Sequence, residues 1–307
     1  MRNFLVRRLF TSLLVLLGVS VFTFLMLHLV PGDPVHALAG KQISSPEKIA
    51  ELRKEMGLDK PLPVQYYDYL SKILRGDFGK SLKNNRPVLQ SILEQLPSTF
   101  HLTVAALTFS TILGLIIGSI GAFNHHSVLD EILSVVSIIG ISIPPFFLAL
   151  LMILFFSIRL NWLPSTAKTS DPRAIILPAI TRGIGEAAWL ARLVRTSILD
   201  ELSKNYQWTA RGKGVKESDV LWKHILRNSW IPIITAIGLQ FVYLMAGSVL
   251  VENIFARQGI GRLALTAIQN RDFPLVQGTV TIIALIYVVV NTITDILFAI
   301  VDPRVRL

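Results

Sequence analysis

The chain has 307 residues, 52% hydrophobic and 16% charged, with no cysteine and a mean hydropathy of +0.56. A soluble chain averages about 25% charged residues, so this composition excludes an ordinary soluble enzyme and a disordered chain. Without Cys there is no disulfide framework, thiolate metal site or cysteine nucleophile. The formal net charge of +10 fits either a nucleic-acid binder or a membrane protein with basic inner loops, and the placement of the basic residues decides between them.

A hydrocarbon core of roughly 30 Å needs about 20 mostly apolar residues per helix, because only a helix satisfies its own backbone there. Six stretches qualify in chain order. Leu9–Val30 is uncharged and stops at Pro31-Gly32-Asp33-Pro34. Its apolar run exceeds the 7–15 residues of a signal-peptide core, which makes it a retained anchor despite Ala37-Leu38-Ala39 downstream. Thr99–Phe123 and Ile132–Ile158 contain no Asp, Glu, Lys or Arg. Ala174 to about Leu193 carries Arg182, Glu186 and Arg192, and is read as a span because the flanking loops otherwise fall on inconsistent sides. Trp230–Val251 and Leu275–Val301 complete the set, the last carrying only Asp295.

Lys and Arg in short loops set the orientation. With the N-terminus inside, segments 1–8, 124–131, 194–229 and 302–307 are inner and hold three, none, seven and two basic residues. The short outer loops 159–173 and 252–274 hold three each. Both termini are therefore expected in the cytoplasm, and the excess charge is topological, with no need for nucleic acid. The expected organisation is residues 1–30 as anchor, 31–98 as an extracytoplasmic region, 99–301 as a five-helix core with an inner loop at 194–229, and 302–307 as a tail. Tyr66, Tyr67, Tyr69 and Phe78 mark 31–98 as a small packed cap.

Groups for catalysis or metal binding are not found in any pattern. Gly79-Lys80-Ser81 has the tail of a phosphate-binding loop, but Leu74 stands where its first Gly belongs. The six His are scattered except for His125-His126; adjacent positions on a helix point about 100° apart and make a poor two-ligand site, so the pair reads as a short inner turn. No catalytic residue, no metal site and no cofactor of this chain's own are expected. Ionisable groups inside spans are costly and tend to face a cavity or a partner. Arg182 and Glu186, at i and i+4, either line a translocation path or form a local ion pair near the end of the span. Arg192 and Arg195 can snorkel to the inner surface.

The inner loop is the most informative stretch. Tyr206-Gln-Trp-Thr-Ala-Arg-Gly-Lys-Gly214 followed by Val215–Leu226 reads as a helix, a Gly turn and a second helix leading into the next span. It is either a short helix that presses on a cytoplasmic partner or a basic loop that enforces topology. Thr209-Ala210-x3-Gly214-x9-His224-x-Leu226 resembles the coupling loop of ABC importer permeases, in the dipeptide, oligopeptide and nickel branch. The likeness runs through Arg7-Arg8-Leu9, Pro31-Gly32-Asp33-Pro34, Gly57-Leu58-Asp59-x-Pro61-Leu62, Gln65-Tyr66 and Gly76-Asp77-Phe78-Gly79-x-Ser81. It continues in Gly259-Ile260-Gly261-Arg262, Arg271-Asp272-Phe273-Pro274-x-Val276-Gln277-Gly278 and Asp302-Pro303-Arg304. The chain is most similar to the first permease subunit of such systems.

The resemblance implies an all-α, six-helix type I ABC importer permease fold with an extracytoplasmic cap between the first two spans, in a bacterial or archaeal plasma membrane. It implies a second permease, two cytoplasmic ATPases that bind ATP and Mg, and an extracytoplasmic solute-binding protein as partners. Trp208, Thr209, Ala210, Arg211, Lys213, Gly214 and His224 would then couple to the ATPases, and Arg182 and Glu186 would be candidates for the path. The sequence departs from the family in three places. Gly212 replaces the usual Ala, Arg257-Gln258 stand where Trp-Pro is usual, which predicts a looser packing of the outer 252–274 loop, and Arg182 and Glu186 interrupt a span that is usually apolar or small.

Small peptides are the expected cargo, with nickel or another metal chelate as the alternative. An ion-coupled secondary transporter using Arg182, Glu186 and Asp295 is the rival from another class. An intramembrane enzyme would need a catalytic pair facing one cavity, and none is visible.

Overall fold

The computed structural model describes residues 2–29, 47, 54, 59–166, 171–206, 212–214, 216, 219–220 and 225–301. Among them the architecture is helical: α1 (Arg2–Leu29), α2 (Leu62–Leu74), α3 (Val88–Phe123), α4 (Val128–Ser142) and α5 (Pro145–Met152). A π-helix over Ile153–Arg159 follows, then a 3-10 turn over Pro172–Ile175 that opens α6 (Ile176–Leu202). The chain continues through α7 (Arg227–Ala246), α8 (Val249–Ile254), α9 (Ile260–Gln269) and α10 (Phe273–Val301).

Among the described residues, five helical segments are long and apolar enough to cross a membrane: Val6–Met26, Val88–Phe123, Pro172–Leu202, Arg227–Ala246 and Phe273–Ile296. A sixth is present if the pair Val128–Ser142 and Pro145–Arg159 makes one span, although it turns by 100° at the break. The expected straight span over Ile132–Ile158 is thus two helices at an angle. Proline lacks an N–H and pushes the residue before it out of the helical region. Ile143 and Pro144 are accordingly extended, at ψ 120° and 134°. The expected span Trp230–Val251 likewise ends early, at Ala246, and the chain restarts as α8 after Gly247 and Ser248.

The chain divides into two compact units, Met1–Pro97 with Gly259–Thr292, and Ser98–Gln258 with Ile293–Leu307. In the first, α2 lays its aromatic face on α1. Tyr66 and Tyr69 share hydroxyl hydrogen bonds with Ser20 (2.8 Å) and Thr23 (3.0 Å), and the Phe24 ring stands edge-on to Tyr66 at 5.4 Å. Tyr67, on the other side of α2, is exposed. The core of this unit joins Val88 and Ile92 to Ile260, Ala267, Leu275 and Val276.

The second unit has two apolar clusters. One gathers Leu102 and Ala106 of α3, Leu177, Leu244 and Phe255. The other gathers Leu190, Val194 and Ile198 of α6 with Ala122, Val220, Ile225 and Ile233. Between α3 and α6 the backbones nearly touch. A Cβ on Gly114 would stand 2.9 Å from Leu190 Cβ, and one on Gly118 would overlap the Ala191 carbonyl and meet Val194 Cβ at 2.6 Å. From the other side, a Cβ on Gly183 would fall 2.7 Å from Phe109. Small residues at four-residue spacing let membrane helices approach this closely. On α4 the side chains of Ile132, Val135, Val136 and Ile139 point outward, the arrangement a helix needs against lipid tails.

Candidate functional site

α6 carries the candidate path residues. Most of its surface is packed, including Leu177, Thr181, Arg182, Ala187, Leu190, Ala191 and Val194. One stripe stays open: Glu186 is partly exposed, and Trp189, Arg192, Thr196 and Asp200 are exposed. These positions recur every three or four residues and so lie on one face. An open stripe with this much charge is costly against hydrocarbon and calls for water or a protein partner.

Arg182 and Glu186 do meet, as the i, i+4 spacing predicts, with Arg182 Nη1 at 3.8 Å from Glu186 Oε1. The Arg182 side chain is 8% exposed, and its guanidinium is held mainly by α7. Its Nη2 donates to the Tyr243 carbonyl at 3.2 Å, and its Cζ lies 4.7 Å over the Tyr243 ring. Gln240 Nε2 donates to the Glu186 carbonyl at 2.8 Å. Gly247 makes room for the cation, since a Cβ there would overlap Arg182 Nη2.

Arg195 does not snorkel. It turns to Asp130, donating from Nε to Oδ1 at 2.6 Å and from Nη2 to Oδ2 at 2.7 Å. This two-pronged geometry is the strong form of an Arg–carboxylate contact. Asp130 sits in the first turn of α4 and is 4% exposed. The turn is set by Ser127, whose hydroxyl accepts from the Asp130 N–H at 3.3 Å. His125 Nδ1 lies 3.3 Å from Asp130 and 3.1 Å from Arg195. His125 and His126 occupy the expected short turn, with His126 at φ 66° and their tilted rings 3.7 Å apart between centroids.

The end of α6 is tied to the chain that follows. Glu201, 8% exposed, accepts from Tyr206 Oη at 2.5 Å and from Lys204 Nζ, and Asn228 donates to Tyr206 Oη at 3.1 Å. The hydrogen bond to Glu201 raises the Lys204 pKa above its ordinary value. Of the seven candidate coupling residues, Lys213 and Gly214 are described and exposed; Trp208, Thr209, Ala210, Arg211 and His224 lie outside the described residues. Gly214 has φ +74° with open space around it, a left-handed helix stop that glycine adopts without strain. Beyond it, Val220 and Ile225 are fully buried in the cluster with α6 and α7.

Two ties escaped sequence reasoning. Asp272 accepts from Ser81 Oγ at 2.5 Å and from the backbone N–H groups of Leu82 and Leu275 at 3.1 and 3.3 Å. Glu252, fully buried, accepts from Thr99 at 2.6 Å and Ser248 at 2.8 Å. Arg257, at the position expected to loosen this loop, is 7% exposed and donates from Nη2 to the Ser98 carbonyl at 3.1 Å. Its burial lowers its pKa, with the nearby Glu252 acting against that.

Two family models match the chain: "Binding-protein-dependent transport system inner membrane component" over residues 110–307, and the N-terminal membrane component of the same systems over residues 1–103. The chain is 40% identical over 306 residues to a glutathione transport system permease protein, GsiC, of Pectobacterium atrosepticum, covering 100% of this chain and 99% of the relative. It is 37% identical over 310 residues to a probable peptide ABC transporter permease protein, y4tP, of Sinorhizobium fredii, covering 99% of each. Among solved structures it resembles a chain of the inward-facing MetNI methionine ABC transporter, with TM-score 0.58 and 18% identity over 70% of this chain and 97% of that one. A chain of an amino acid ABC transporter crystallised with histidines gives TM-score 0.56 and 16% identity over 68% and 92%. The last two matches speak to fold alone. The chain therefore belongs to the family of binding-protein-dependent transport system inner membrane components, and is a membrane-spanning permease subunit of an ABC importer, a transport component and not an enzyme.

Proposed function

We propose that this permease forms half of a path for small peptides, glutathione among them, and that α6 is the rod connecting the path to the motor. The observation that carries this reading is on α6 itself. Its open stripe begins at Glu186, Trp189 and Arg192 inside a membrane-spanning segment and runs on through Thr196 and Asp200 toward the inner loop, and its end at Glu201 is bonded to Lys204 and Tyr206, which lead directly into Trp208–Gly214. Force applied to Trp208, Thr209, Ala210, Arg211, Lys213, Gly214 and His224 would then reach the path through a helix and not through a loose loop. The rest of the assembly is a second permease, two cytoplasmic ATPases carrying ATP and Mg, and an extracytoplasmic solute-binding protein. Both termini and the loop 194–229 lie in the cytoplasm, and 31–98 forms the outer cap, with the chain in the inner membrane.

The relatives named above are described by glutathione and by peptide, which favours a peptide over nickel or another metal chelate. The test is purification in mild detergent followed by reconstitution. The expected result is recovery of a second permease and ATPases, and ATP-dependent uptake of glutathione or dipeptide that requires the solute-binding protein. Uptake by the isolated chain driven by an ion gradient alone would overturn the reading in favour of a secondary transporter. Accessibility labelling that puts Lys213 outside the cell would remove the handle.

A further inference from the structure

Arg182 and Glu186 look like a self-contained ion pair in sequence, yet the contact is not closed. Closed Arg–carboxylate contacts run at about 2.7–2.9 Å; this one is 3.8 Å. The cation is held by neutral groups, the Tyr243 carbonyl and ring. Arg182 Nε is enclosed and has no hydrogen-bond partner among the described residues. One turn earlier on α7, Gln240 is 3% exposed and its Oε1 is also without a partner there. Buried polar groups are nearly always satisfied, so an unused donor on a buried cation, with an unused amide oxygen on the helix that holds that cation, marks a place that another molecule completes.

The chemistry of that molecule follows from the groups. A guanidinium offers its Nε edge as a fork for a carboxylate, a geometry that lysine cannot reproduce. The Glu186 carboxylate, partly exposed on the open stripe, suits an ammonium. A cargo with one carboxylate and one amine within a few bonds of each other fits both. We propose that Arg182 is the contact for a cargo carboxylate, and that Glu186 is the resident counter-ion displaced on binding, which then faces the cargo amine. The proposal rests on the peptide reading above and adds to it which residues select for a free carboxylate. Gly247 belongs to the site because only a residue without a Cβ leaves the guanidinium its place. The departure of Arg182 and Glu186 from an otherwise apolar family span is then a specificity device of this importer.

The test is direct binding to the complete importer in lipid nanodiscs, without its solute-binding protein, so that selection upstream does not mask the result. The probes are glutathione and alanylalanine, each against its C-terminal amide. For at least one pair the wild type is expected to bind the acid saturably and about tenfold more tightly than the amide. Arg182→Gln should bring the two affinities together, and Arg182→Lys should keep part of the preference. Glu186→Gln should weaken binding of an N-acetylated peptide less than that of its free-amine parent. Should Arg182→Gln fail to assemble with its ATPases, Gly247→Ala carries the same test by displacing the guanidinium, and it should cut acid affinity more than amide affinity. No saturable acid binding to the wild type, or a preference that survives Arg182→Gln or Gly247→Ala, overturns the proposal. ATP-driven peptide uptake is measured on the same preparation. Its absence in the wild type defeats the peptide-importer reading, whereas its presence without an acid preference defeats only the Arg182 contact.

Discussion

Ser81 Oγ donates to Asp272 Oδ2 at 2.5 Å across a separation of 191 residues. Both side chains are buried, at 3% and 2% exposure, and Asp272 also collects the backbone N–H groups of Leu82 and Leu275. The second of these caps the first turn of α10. Two stretches that resemble family motifs, Gly76–Ser81 and Arg271–Gly278, thus meet at one carboxylate. Their separate sequence patterns are two halves of a single joint.

That joint sets the first prediction. Hydrogen bonds to a charged group contribute about 1.5–3 kcal/mol, and stranding several buried donors costs more than losing one. Ser81→Ala should lower the thermal stability of the purified importer by about 2 kcal/mol, and Asp272→Ala should lower it further. The double variant should be no worse than Asp272→Ala, because the two residues share one contact. Independent, summing losses in a melting series would show that they act separately.

The α3–α6 contact gives a second prediction with its own control. Gly118→Val should force the helices apart, with a stability loss of about 1–3 kcal/mol or more and loss of uptake. Gly18 lies on α1 with nothing within 4 Å of an added Cβ, so Gly18→Ala should leave both unchanged. Equal behaviour of the two variants would contradict the close approach.

Gly214 supplies the third. Holding φ at +74° with a Cβ present costs about 1–2 kcal/mol, and a carboxylate there would also offset the positive charge of Lys213 and Lys216 in the proposed coupling loop. Gly214→Glu should abolish uptake while the protein still reaches the membrane at normal abundance. Gly214→Ala should reduce uptake partially. Normal transport by Gly214→Glu would remove this turn from the coupling role.

The fourth concerns Asp130 and Arg195. Removing one member of a largely buried pair leaves the other uncompensated, at a cost of about 3 kcal/mol. Asp130→Asn and Arg195→Gln should each reduce the ratio of peptide transported to ATP hydrolysed, because the start of α4 is no longer fastened to α6. The exchanged pair, Asp130→Arg with Arg195→Asp, should recover part of that ratio. A ratio unchanged in both single variants would reduce the contact to ordinary packing.

The spans were legible because desolvation of the backbone leaves no alternative to about 20 apolar residues in a row. Hydropathy has no direction, however, so the corner at Pro144-Pro145 was invisible within an unbroken apolar run. Ser127 and Asp130 carry a local capping signal, but the partner of Asp130 lies 65 residues away, and no short-range pattern names it. Gly114-x3-Gly118 was a readable signal of close helix contact that went unused. His125-His126 were legible as a short turn, whereas the approach of His125 to Asp130 and Arg195 was not, since those partners are named by no local pattern. Arg257 was read as a loss of packing because the family places Trp there, whereas its guanidinium is buried and donates to a carbonyl. The i, i+4 meeting of Arg182 and Glu186 was legible; the contribution of Tyr243, Gln240 and Gly247 was not, since it comes from another helix.

The near-contact of α3 and α6 also bears on engineering. Because Gly114, Gly118 and Gly183 each receive the opposite helix, neither helix of this pair tolerates replacement by a homologous segment cut to a different profile. A chimera that imports α6 from a transporter of another cargo must bring α3 along, and a directed-evolution library confined to one of them will sample mostly misassembled proteins.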